Sequence, residues 1–73
     1  MKMVKKPDMR IVGARIRLQR NLRGKTLTQL AGDANLGLNT LSSIEHGAIS
    51  LGPTRAARVA AALGVDVEVL LAP

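Results

Sequence analysis

From Leu38 to Ser43 the chain reads Leu38, Asn39, Thr40, Leu41, Ser42, Ser43, with four neutral hydrogen-bonding side chains and no charge. Residues of these types at the start of a helix have the chemistry needed to read base edges. An asparagine amide donates to N7 and accepts from N6 of adenine as a bidentate pair, a leucine meets only a thymine methyl or a sugar, and hydroxyls adapt to either partner. Asn39 is the candidate for one strongly preferred base pair and Leu38 for a softer neighbouring preference, with Thr40, Ser42 and Ser43 as adaptable partners. Two structural roles compete with this one: Asn39 and Thr40 could simply start a helix, and Leu38 could staple it to the core.

The wider run 35–47, "NLGLNTLSSIEHG", holds one carboxylate, one histidine and no lysine or arginine, although the chain carries a net charge of +6. The cations lie elsewhere. Lys2, Lys5, Lys6, Arg10, Arg15, Arg17, Arg20, Arg23 and Lys25 face only Asp8 in the first 25 residues, whereas Arg55 and Arg58 face four acids in the rest. Such asymmetry suits a polyanion: cations on phosphate supply affinity, and uncharged groups elsewhere supply discrimination. A solvated tail added for solubility is the plainer reading of residues 1–8.

Composition narrows the classes further. Seventy-three residues make room for one domain, because so short a chain buries only about 60% of its unfolded surface. With no Phe, Tyr or Trp, stacking on single-stranded bases is not available. No cysteine and a single histidine leave no metal site, and nothing implies a cofactor. No apolar run approaches the roughly 20 residues of a membrane span, and no apolar signal core follows the basic N-terminus. The expectation is a soluble, cytoplasmic protein with no membrane partner.

Positioning the polar run requires helices. Residues 1–8, "MKMVKKPD", read as a flexible basic arm, and residues 9–73 as one all-α domain of five helices. Helix one runs from Met9 or Arg10 to Arg23, with Val12, Ile16 and Gln19, flanked by Ile11, Ala14, Leu18 and Leu22, as its apolar stripe, and Gly24 stops it. Thr26 with Gln29 forms a capping box for a short helix two, whose Leu30, Ala31 and Ala34 face inward. "NLGL" is a turn: Asn35 takes a left-handed conformation, Leu36 plugs the core and Gly37 permits a tight exit. Helix three spans Leu38 to His46 with Leu41 and Ile44 inward, and Gly47 ends it. Gly52 and Pro53 begin a fourth helix that reaches Leu63, and Asp66 caps a last one, Val67 to Leu71.

Two short helices joined by a glycine-bearing turn, the second with a small polar face, describe a helix-turn-helix. Over residues 12 to 71 the chain resembles the phage-repressor and Cro-like (XRE-type) helix-turn-helix family, through "RGKTLTQLA", "NTLSSIEHG" and "VAAALGVDVEVLL" at consistent spacing. The resemblance implies a compact five-helix DNA-binding domain of the lambda-repressor-like type, with helix three in the major groove. It also implies that Arg20 pairs with Glu45 and approaches the DNA backbone. The candidate backbone contacts are Arg17, Arg20, Lys25, Thr26, Leu27 and Gln29, with His46 at the end of helix three. The family often has Gln where this sequence has Leu27, which leaves only a main-chain N–H for that contact.

One recognition helix reads about four base pairs, so a two-fold operator and a homodimer are implied. The family commonly dimerises through its C-terminal helices, which here offer Val65, Val67, Val69 and Leu70, with Leu71 beside them. A Ser43, Glu45 and His46 relay is not expected, since neighbours on a short helix point apart, and the chain reads as no enzyme. The expected function is a sequence-specific double-stranded DNA-binding transcriptional regulator, a repressor or an autoregulated controller. The alternative is an antitoxin-like module whose main target is an unidentified protein partner and whose DNA binding is secondary.

Overall fold

The computed structural model describes residues 8–73. Lys2, Lys5 and Lys6 of the expected arm therefore lie outside the described residues. Five helices follow one another: α1 (Met9–Leu22), α2 (Leu27–Asp33), α3 (Leu38–Glu45), α4 (Pro53–Leu63) and α5 (Val67–Leu71), with no strand among the described residues.

Helix α1 begins where Asp8 caps it. The Arg10 N–H donates to the Asp8 carboxylate at 2.8 Å and the Arg10 side chain adds a 3.3 Å ion pair, which together hold that carboxyl below the usual carboxylate range. The sequence reading placed Asp8 in the arm, although an aspartate just before an apolar-periodic run is an N-cap signature. Helix α2 starts with the expected capping box: Gln29 N–H donates to the Thr26 hydroxyl at 3.0 Å, and Thr26 N–H donates to the Gln29 side-chain oxygen at 2.8 Å. Asn35 takes the left-handed conformation at φ 55°. Gly37 sits at the N-cap of α3 in extended backbone, φ −66°, which any residue adopts, so its freedom is not what makes the turn. Asp66 stands at the N-cap of α5 without making the side-chain hydrogen bond.

The core is built from aliphatic residues of every helix: Val12 and Ile16 of α1, Leu30 of α2, Leu41 and Ile44 of α3, Val59 and Leu63 of α4, and Leu70 of α5. Helix α1 packs on α3, α4 and α5, while α2 packs on α3 and α4. Two sequence expectations change here. Ile11, Ala14, Leu18 and Leu22 belong to the outer surface of α1, not to its core stripe. Leu70, expected at a dimer interface, is fully buried inside its own chain, because a helix of five residues has one inward position per turn and Leu70 fills it. Val65 is half-buried against the same core; Val67 and Val69 are exposed.

Candidate nucleic-acid interface

Helix α3 has Leu41, Ile44 and Glu45 buried. The opposite side carries Asn39, Ser42, Ser43 and His46, at i, i+3, i+4 and i+7, the spacing that stacks side chains on one helix face. Asn39 and His46 are exposed and the two serines half-buried. Asn39 is the second residue of the helix and the cap is Gly37, so Asn39 does not serve as the N-cap. Leu38 is exposed at the first helical position instead of stapled inward. Thr40, half-buried, lies off the stripe, beside Gly37. The structure thus brings His46 onto the exposed polar stripe and leaves Thr40 at its edge.

The His46 ring is oriented by its own helix. Nδ1 lies 2.7 Å from the Ser42 carbonyl, an oxygen that can only accept, so Nδ1 carries the proton and Nε2 points outward. Glu45 faces the other way into the protein, and no Ser43, Glu45 and His46 relay is assembled.

What fixes α3 is its C-terminal end. The Glu45 carboxylate is only 4% exposed and receives Arg20 Nε at 2.7 Å and Nη2 at 3.0 Å, a bidentate pair. These bonds push the Arg20 guanidinium above its ordinary range, against the opposing effect of burial. They also answer the unfavourable placing of an anion at a helix C-terminus. Arg20 Nη1 donates in addition to the Lys25 carbonyl at 3.0 Å, so each of its three nitrogens makes a bond within the chain. Lys25 is similarly committed, its Nζ lying 2.7 Å from Asp33 and 2.9 Å from the Ala62 carbonyl. Arg20 thereby ties α1 to α3, and Lys25 ties the loop between α1 and α2 to α2 and α4.

Two glycines complete this hold. A Cβ on Gly13 would stand 2.4 Å from the Glu45 carbonyl oxygen and 2.5 Å from that of Ile44, so only glycine lets α1 lie against the end of α3. Gly47, at φ +73°, presses on Arg10 in the same way, with a Cβ position 2.8 Å from the Arg10 Cα. Sequence reasoning had no signal for either approach, since nothing in a helical pattern marks which glycine meets another backbone. It also missed Arg15, whose Nη1 donates to the Leu70 carbonyl at 3.2 Å and to that of Ala72, at the end of α5.

Arg17 retains a cationic group at the surface. It is half exposed, with Nε 3.8 Å from the Glu45 carboxylate and Nη2 donating at 3.4 Å to the Glu45 carbonyl. At the start of α2, Thr26 and Gln29 satisfy one another, and Leu27 is half-buried against the core. Among the described residues no group of three metal-ligating side chains converges, and no helix is long and apolar enough to cross a membrane.

Solved structures share this fold. The restriction-modification controller protein C.AhdI from Aeromonas hydrophila superposes with a TM-score of 0.84 over 86% of this chain and 96% of its own, at 24% identity. The clp gene regulator ClgR from C. glutamicum is 33% identical, with a TM-score of 0.80 over 85% of this chain and 82% of its own. A hypothetical transcription factor, NHTF, from Neisseria covers all of this chain and 88% of its own at 26% identity and a TM-score of 0.84. No curated protein matches the sequence. A family model described as helix-turn-helix matches residues 16–70. With α2 and α3 forming the two helices and the turn between them carrying Asn35, the chain belongs to the helix-turn-helix family of DNA-binding proteins.

Proposed function

We propose that this protein is a sequence-specific double-stranded DNA-binding transcription regulator, acting as a homodimer on a two-fold operator as a repressor or autoregulated controller. The observation that carries this reading is the outward stripe of Asn39, Ser42, Ser43 and His46 on a helix whose other end is clamped to α1. A rigidly held helix presenting uncharged hydrogen-bonding groups is suited to major-groove edges, and Leu38 beside it suits a thymine methyl. The exposed Arg10 and Arg17 supply phosphate attraction on the α1 side. The clp gene regulator ClgR, 33% identical over 85% of this chain, favours the same class. The cytoplasm is the compartment this role requires.

Selection of bound duplexes from a random pool tests it directly. The expected product is a two-fold symmetric sequence with one strongly preferred base pair per half-site. Enrichment of no duplex, or of single strands only, overturns the proposal.

A further inference from the structure

His46 is the chain's single histidine, and its own helix fixes which of its nitrogens meets the outside. The residue is exposed at the C-terminal end of α3, and its Nδ1 is held 2.7 Å from the Ser42 carbonyl. That carbonyl only accepts, so the Nδ1 proton is engaged within the helix and Nε2 is left to face a ligand. In the neutral ring Nε2 has a lone pair and no hydrogen. It can accept from an amino group, but it has nothing to give a phosphate oxygen, which is itself an acceptor. One added proton reverses this, because the imidazolium Nε2 donates a charge-assisted bond.

Position along the helix decides which partner it meets. In helix-turn-helix docking the N-terminal residues of the second helix reach the base edges. His46 lies two turns beyond Asn39, roughly 10 Å along the axis. That distance is close to the ~12 Å width of the major groove, so on this docking the ring arrives at the groove's wall, which is phosphate.

The charges around this end of α3 agree. From α1, exposed Arg10 packs against Gly47 and pairs with Asp8, exposed Arg17 donates to the Glu45 carbonyl, and Arg20 holds the Glu45 carboxylate. Glu45 itself is buried and turned inward. The one charge on α2 is Asp33, bound to Lys25 Nζ, and residues 47–54 carry none. Apart from Asp8, which is already paired, the exposed charges here are guanidiniums. They draw phosphate toward this corner, and phosphate is the anion that favours the added proton.

We propose that His46 contacts a DNA phosphate through Nε2 as the imidazolium alone, so that operator binding takes up a proton and tightens as pH falls. This rests on the DNA-binding reading above and adds a regulation to the same site. The sign follows from linkage. Bound phosphate stabilises the protonated ring, so the gain in affinity is complete at pH below the ordinary imidazole range and is lost as pH rises through that range and beyond it.

Operator affinity, on the duplex recovered from the random pool, is to be measured at about pH 6 and about pH 8 for wild type, His46→Gln and His46→Lys. Wild type should bind about tenfold more tightly at the lower pH, with a slope of log affinity against log salt steeper there by about 0.9. His46→Gln should lose both differences, and His46→Lys should keep the steep slope at both pH values. The N-terminal amine titrates in the same window, but it is common to all three proteins and cancels in the comparison. A wild type whose affinity does not change with pH, or a His46→Gln protein that keeps the full change, overturns the proposal. So does a wild type that binds more tightly at the higher pH, which makes Nε2 an acceptor for a base amino group. Should His46→Gln lose its helical circular dichroism, His46→Lys decides alone: a slope that still steepens at the lower pH overturns the proposal, and one equal at both supports it. These results leave the DNA-binding reading standing, whereas a wild type that binds no duplex at either pH sinks that reading and this proposal together.

Discussion

At its C-terminal end α3 is buried, ion-paired and pressed against backbone, whereas at its N-terminal end Leu38 and Asn39 stand free. Eight residues thus contain both a handle and a tip. The handle holds Glu45 between Arg20 and the Gly13 backbone, and its cost is a buried carboxylate that must never lose its partner. The tip is exposed, so on the proposed reading its side chains are available to bases and can be replaced with little harm to the fold. Substitutions at the handle should therefore appear in stability, and substitutions at the tip in discrimination.

The largest effect is expected at Arg20. Arg20→Met leaves the buried Glu45 carboxylate with only the long contact to the exposed Arg17, at 3.8 Å; removing the main partner of a buried charge costs about 3 to 5 kcal/mol in comparable sites and is measured by urea unfolding. Adding Glu45→Leu removes the stranded charge and should restore most of the loss. An Arg20→Met protein within about 1 kcal/mol of wild type would show that Glu45 finds water or another cation, and the handle would lose its central contact.

Gly13→Ala comes next. Alanine gains roughly 0.8 to 1 kcal/mol in helix propensity over glycine, but here its Cβ meets the Glu45 carbonyl oxygen at 2.4 Å. Overpacking of this kind costs about 1 to 3 kcal/mol, and a main-chain obstacle that cannot rotate aside puts it near the upper end, so after the propensity gain a net loss of about 2 kcal/mol is expected. Thermal unfolding reads it as a fall of roughly 8 to 16 °C for a domain this small. A stabilised Gly13→Ala protein would mean that the two helices slide apart at little cost.

At the tip the readout changes. Asn39→Ala should leave unfolding within about 0.5 kcal/mol, yet lower discrimination at one symmetric pair of operator positions by roughly 1 to 3 kcal/mol. Binding to random DNA should hardly change. Equal weakening on operator and random DNA would make Asn39 a backbone contact and pass base reading to Ser42 and Ser43.

The division between handle and tip was only half legible in the sequence. Helix limits came through within one or two residues because Thr26 with Gln29, Pro53 and Gly64 are local signals, complete within one turn of chain. The Arg20 and Glu45 pair spans 25 positions and was reached through family resemblance, not periodicity. Helix α1 shows why: Ile11, Leu18 and Leu22 are as apolar as Val12 and Ile16, so the pattern marks a helix without saying which side meets the core. Leu70 was misplaced for the same reason. Gly13 and Arg15 act on groups far along the chain, and a single sequence does not write such meetings into its spacing.

Arg17 lies on the border between the two regions and should give the smallest effect. It touches Glu45 twice, at 3.8 Å and 3.4 Å, which by itself suggests a third part of the handle. Both distances are long, the side chain is 50% exposed, and Arg20 already satisfies the carboxylate at 2.7 Å. An exposed pair of that kind contributes about 0 to 1 kcal/mol, while a guanidinium on DNA phosphate removes about 0.9 from the slope of log affinity against log salt when lost. Arg17→Gln keeps the length and polarity of the side chain and removes only the charge. The expected result is unfolding within about 0.5 kcal/mol of wild type and a salt slope shallower by about 0.9, with base preference unchanged. Should unfolding shift by about 2 kcal/mol with the slope intact, Arg17 joins Arg20 in the handle, because a charge that matters to folding and not to salt is meeting Glu45 and not phosphate.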